Sequence, residues 1–227
     1  MHYYAEVITP PLPDPIDLKI LDMRLGEALA QHSENTSEED AGGYQSFYDW
    51  FTIGGRWAGN KEQAMYDPAR LSQFYDLLNN QDPKLTVSSV QAGKQKLSTP
   101  EMEALVDRLW KEAFPDSTAE HCPIFAHSND QYASESALGG DVMRYKDVPW
   151  ANISCARFIV LNADWKVHYM LEHEYWNGYT FQETSWDGSL KDGLEKLQER
   201  AKMWTDDWRE QHMPKDDWLV VTVDYHS

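Results

Sequence analysis

The stretch Tyr48-Asp49-Trp50-Phe51-Thr52-Ile53-Gly54-Gly55-Arg56-Trp57-Ala58-Gly59 packs four aromatics, three glycines, one acid and one arginine into twelve positions. Neither helix nor strand periodicity asks for that mixture. Paired glycines open positive φ or let another group approach the backbone. An arginine directly after them can offer a planar fork of donors to a phosphate or carboxylate. Trp50 and Trp57 can stack on that fork or on a flat ligand. The plain structural alternative stays open: a tight turn after a strand, with the tryptophans in the core and Arg56 in an internal ion pair.

Two further stretches carry candidate chemistry. Trp165-Lys166-Val167-His168 runs toward Tyr175-Trp176-Asn177-Gly178, a strand that ends in a histidine and enters an aromatic loop. It reads equally as a pocket wall or as a hairpin that buries Trp165 and leaves His168 outside. Near the C-terminus, Val223-Asp224-Tyr225-His226 places an acid and a histidine two positions apart on a strand, hence on one side of a sheet. An Asp224–His226 pair could orient the imidazole for base work, with His168 as a further acid–base candidate.

These stretches together resemble a family of phage and bacterial proteins, common in actinobacteria and their viruses. That family has an early [WY]DW[FWY]xIGGRWxG motif, a strand–turn–strand similar to VTPDGxWHxxGxMGWWG, and a final strand similar to TxVDCHx. Tyr48 to Gly59 matches the first nearly completely. Val160 to Gly178 matches the second at Trp165, His168, Trp176 and Gly178. Thr222 to Ser227 matches the third with Tyr225 in place of cysteine, which argues against a catalytic cysteine. The family carries no established activity, so the resemblance implies a shared site and a phage-type origin, not a reaction.

The charge balance limits the partners. With 20 basic and 38 acidic residues, a formal net of −18 repels nucleic acid and anionic membrane surfaces. No apolar run approaches a membrane span, and the N-terminus has no leader pattern. A cytoplasmic protein is expected, in the host cytoplasm if the origin is phage. Cys122 and Cys155 lie in no CxxC spacing, and His121, Cys122 and His127 fit no standard ligand pattern, so neither metal nor cofactor is expected.

Around these stretches the chain reads as β-α, a long middle section, then β-β-α-β. Tyr3 to Thr9 is a strand stopped by prolines, and Asp17 caps a helix with Leu18, Leu21, Leu25 and Leu29 on one face. Asp67-Pro68 and Thr99-Pro100 start two middle helices. Cys155 to Leu161 and Lys166 to Leu171 flank a turn at Asn162-Ala163-Asp164. Ser189 caps one long helix carrying Leu190 to Trp208, closed by Pro214, and Leu219 to Tyr225 is the final strand. This order predicts a single α+β domain: a ferredoxin-like split β-α-β sheet from residues 1–30 and 151–227, with a large mostly helical insertion at about 31–150. The first and last strands should share one sheet, with both terminal helices on one face.

The functional expectation is binding before catalysis. A small, flat, anionic nucleotide-derived ligand would sit on Trp50, Gly54, Gly55, Arg56, Trp57, Trp165, His168, Trp176 and His226. In a phage setting, such enclosure would sequester a host immune signal. The enzyme alternative is a hydrolase or phosphodiesterase using His226, Asp224 and His168. A third reading has the acidic surface block a basic partner. The oligomeric state stays open, a homo-oligomer included.

Overall fold

A computed structural model describes residues 2–37, 46–57, 59–81, 99–125, 141–172 and 188–226. The strand-forming runs join in one mixed six-stranded sheet. Its strands are β1 (His2–Thr9), β2 (Trp50–Ile53), β3 (Val142–Arg144), β4 (Arg157–Leu161), β5 (Val167–Glu172) and β6 (Leu219–His226). The helices are α1 (Leu18–Leu29), α2 (Asn60–Gln63), α3 (Pro68–Gln81), α4 (Pro100–Ala113), α5 (Leu190–Ala201) and α6 (Asp206–His212). The chain divides into two compact units: residues 1–53 with 142–227, and residues 54–141.

The first unit holds the sheet, in the order β2-β6-β1-β4-β5, with β3 also on β6. The first and last strands pair antiparallel over their whole length, from His2 opposite His226 to Thr9 opposite Leu219. β4 lies parallel to β1 and directly beside it. No strand is interposed between them, so the pairing order departs from the expected split β-α-β arrangement. The reason is written in the two hairpin strands. All five residues of β4 are buried, as a strand covered on both faces requires. β5, with His168 and Lys166 near its start, is the edge.

Asp17 caps α1 by accepting from the amides of Lys19 and Ile20 at 2.8 and 3.3 Å. Leu21, Leu25 and Leu29 of α1 then pack with Ala5, Val7, Ile159, Leu161, Val221, Val223 and Tyr225 on one face of the sheet. Tyr169 points to the other face, where Arg200 of α5 lies 5.7 Å from its ring. The two helices therefore cover opposite faces, not one. The expected single helix after Ser189 is also two. Thr205 accepts from the Trp208 amide at 3.3 Å and starts α6 with Asp206 and Asp207 in its first turn.

β2 and β3 both pair with β6, and their registers nearly meet. Ile53 lies opposite Val223 and Val142 opposite Val221, so only Thr222 separates the two partners. They are two halves of one edge strand, and residues 54–141 leave and return within one position of it. The sheet thus claims residues up to Ile53 and from Val142, inside the 31–150 range expected for the insertion.

In the second unit α3 and α4 begin at the expected caps, Asp67 and Thr99. Leu71, Phe74 and Leu78 pack against Val106, Leu109, Trp110 and Ala113, closed by Phe114, Ile124 and Phe125. Among the described residues no helix is long and apolar enough to cross a membrane.

Candidate functional site

The residues with chemistry converge at one end of the sheet, through register. Trp50 lies opposite His226, and His226 opposite His2, which makes one row across β2, β6 and β1. Residues in one row project from the same face. The three rings meet there: Trp50 is parallel to His226 at 5.8 Å and 5°, and His2 stands edge-on to both at 5.2 and 5.3 Å.

Each imidazole is held by a carboxylate. His2 Nδ1 is 3.0 Å from Asp224 Oδ1, and His226 Nδ1 is 3.0 Å from both oxygens of Asp49. An ionised carboxylate only accepts, so both Nδ1 atoms carry a proton and donate. Nε2 is then the nitrogen whose proton can be exchanged with a ligand. The Asp49 amide also donates to the His226 carbonyl at 2.9 Å, which fixes the acid beside its histidine.

The two pairs differ in exposure. Asp224 is 2% and His2 20% exposed, whereas Asp49 and His226 are 38% and 35% exposed. For Asp49, partial desolvation pushes its pKa up. The bond and charge of His226, with the amides of Trp50 and of Asp49 itself, outweigh that and hold it below the ordinary carboxylate range. Trp50 is 44% exposed, so the row opens at β2.

Deeper on the same face the rows stay polar. Glu6 is fully buried, and its Oε1 accepts from Tyr4 Oη at 2.5 Å and from Thr222 Oγ1 at 2.8 Å. Burial first, then the Glu6 charge, drives the Tyr4 pKa well above the ordinary phenol value. Tyr4 sits directly opposite Asp224, so this network abuts the His2 pair.

The expected Asp224–His226 pair is replaced by two cross-strand pairs. Neither acid lies directly opposite its histidine: Asp224 faces Tyr4 and His226 faces His2, so His2 reaches Asp224 on the diagonal, and Asp49 reaches His226 from the position just before β2. His2 and Asp49 complete the site, and neither was among the expected site residues. Their signal lay in the pairing of the terminal strands and in the acid that precedes Trp50.

The other expected positions fall in other elements. Gly54 and Gly55 have φ of 74° and 54°, a backbone that favours glycine, and lead into the 3₁₀ turn Gly55–Trp57 that carries Arg56. That turn belongs to the second unit. Trp165 sits in the β4–β5 turn with φ of 60° and packs on the α1 face. The turn itself is made by Asn162, whose Oδ1 accepts from the amides of Asp164 and Lys166 at 3.0 Å each. His168 neighbours Tyr169, which pairs with Val160 in the row of Ile8 and Val220. That is six residues along β6 from His226, roughly 20 Å at strand rise, so the two histidines do not meet. Trp176 lies outside the described residues, as does His127.

Of the residues weighed for metal, His121 Nδ1 is 2.8 Å from Asp107 Oδ2, and the Cys122 amide donates to Asp107 Oδ1 at 2.8 Å. Among the described residues no group of three His, Cys, Asp or Glu could hold a metal ion. No protein-family model matches the chain, and no curated protein and no solved structure matches it.

Proposed function

We propose that the Trp50–His226–His2 row is an acid–base site for a small nucleotide-type molecule. The observation that carries this reading is the pair of carboxylate-held imidazoles in ring contact, 5.3 Å apart, at the open end of the sheet. A histidine oriented through Nδ1 by a carboxylate presents Nε2 in a fixed direction for proton transfer. Two such groups side by side suit a displacement that needs one proton removed and one delivered. In hydrolysis of a phosphodiester, one imidazole takes the proton of the attacking water as its oxygen bonds to phosphorus. The other protonates the leaving oxygen as the old P–O bond breaks. Trp50 offers the face for a base or other flat ring. The formal charge of −18 favours a small ligand over a long polyanion.

A second reading is sequestration without chemistry, as expected for a phage-type protein that removes a host signal. The exposed indole of Trp50, already stacked on an imidazole, supports it because stacking alone can hold a ring.

The test is calorimetric titration of cyclic dinucleotides, cyclic mononucleotides and ADP-ribose derivatives, with every ligand recovered and checked for cleavage. Turnover that falls by about 10²-fold or more in both His2→Gln and His226→Gln is the expected outcome. Intact recovery with binding lost in Trp50→Ala would establish sequestration. Absence of any binding to wild type would return the row to a structural role. Arg56→Ala and Arg56→Lys belong in the same titration, to ask whether the helical unit contributes an anion contact of its own; an arginine fork is not replaced by an ammonium.

A further inference from the structure

A second histidine cluster sits at the far end of the sheet unit and takes no part in the row above. His168 is the extra residue of β5 at a register shift: Tyr169 pairs with Val160, and Val167 with Leu161. A bulge residue has no ladder partner of its own, and the local kink re-aims its side chain. The His168 ring meets His212 of α6 at 5.1 Å and Trp204 at 5.9 Å. His212 is buried, stacks on Trp208 at 3.7 Å and 11°, and has Nδ1 2.9 Å from the Trp208 carbonyl. Both nitrogens of His168 are shut off from solvent without a hydrogen-bond partner among the described residues. The Val160 backbone lies near enough to favour a ring proton weakly, without forming a hydrogen bond.

Among the described residues, α6 presents His212 to this ring, α5 presents the Arg200 guanidinium, and β4 presents the Val160 backbone. A proton on His168 would meet a cation and a second imidazole. α6 spans only Asp206–His212, too short to hold its own shape without packing. Outside this nest, its C-terminal end is tied to the β4–β5 turn by one bond, from the Ala163 amide to the Gln211 carbonyl at 3.1 Å.

We propose that His168 and His212 form an acid-released latch: α6 is docked on β5 while the His168 ring is neutral, and a proton on His168 expels the ring and frees α6 while β6 stays paired. Burial first, then His212, lowers the His168 pKa to about 4, so a proton is bound far more readily once the helix has lifted. The latch is independent of the ligand site and regulates exposure of Trp204 and Trp208.

Hydrogen exchange of the full chain at pH 7.5 and pH 5, corrected for the intrinsic pH dependence of exchange, tests it. Protection over 204–213 should fall on the order of tenfold at pH 5, while 219–226 keeps its protection. His168→Phe keeps a ring and removes the titration, so its 204–213 protection should be the same at both pH values. His168→Gln, smaller and also non-titrating, gives the same answer if the phenyl ring packs badly. Equal wild-type protection at both pH values overturns the latch. So does an acid loss that persists in both variants, or one that extends equally over 219–226.

Discussion

Two histidine pairs in the sheet unit meet opposite fates. At the open end His2 and His226 are in ring contact, and each has a carboxylate on Nδ1. At the far end His168 and His212 are as close, at 5.1 Å, but His168 has no hydrogen-bond partner among the described residues and a guanidinium nearby. The ring–ring distance is nearly the same; the partners differ. An imidazole beside a carboxylate can exchange a proton and stay in place, whereas one packed against an indole, a second imidazole and a guanidinium can only remain neutral or leave. The lesson is that a histidine's role is set by what faces its nitrogens, not by how many histidines gather.

Breaking the open-end pair at its buried member should have the largest effect. Asp224→Ala leaves His2 without its acceptor in a covered site and should cost about 3 kcal/mol or more of stability in urea denaturation. Asp224→Asn, which keeps an acceptor, should recover part of that; equal losses would mean that the charge alone matters.

Next comes the far-end ring. Its pKa in the folded protein is about 4, against an ordinary 6.5. A lowered imidazole contributes stability that is fully present above about pH 6.5 and is lost as pH falls toward 4. The shift corresponds to about 3 kcal/mol at most, and partial exposure of the ring cuts this to about 1–2 kcal/mol. Denaturation midpoints of wild type and His168→Gln between pH 7.5 and 4.5 should therefore converge as the pH drops. Parallel curves would remove the contrast between the two pairs.

Smaller still is the difference between the two indoles that stack on histidines. Trp208→Ala should lose about 1 kcal/mol, because its ring lies 3.7 Å from that of the buried His212. Trp50→Ala should leave stability nearly unchanged, since its ring is 5.8 Å from His226 and about half exposed. A larger loss at Trp50 would make that ring a structural element. Smallest is Asp49→Ala. An exposed pair is solvated and screened, so the midpoint should barely move, and less so in 1 M salt than in dilute buffer.

Much of the architecture was legible in residue patterns. Prolines after Thr9, caps at Asp17, Asp67, Thr99 and Ser189, and the apolar run to Leu161 placed their elements nearly where they lie. Pairing order was harder to read, because strand-forming residues state that a strand exists and only burial states its neighbours. The run Arg157-Phe158-Ile159-Val160-Leu161 reads only as one strand of a hairpin, and its place beside β1 emerges from the pairing. The site was half legible. Asp224, His226 and Trp50 could be named from type and spacing, but His2 joins them only through the register of β1 on β6. His168 was the reverse case. Its type suggested a site, but its bulge exists only in the pairing with β4 and turns the ring toward α6.

The interrupted edge strand has a consequence for what this sheet can carry. Ile53 and Val142 flank a gap opposite one residue, so their backbones stand roughly 7 Å apart at strand rise. Any segment whose own ends approach that closely can be spliced there with each half of the strand still hydrogen-bonded to β6. Loop closure adds little as such a segment lengthens, because its entropic cost grows only with the logarithm of length. The position is a cassette port: a place where one module can be exchanged for another while the histidine row, three residues upstream of the splice, keeps its register.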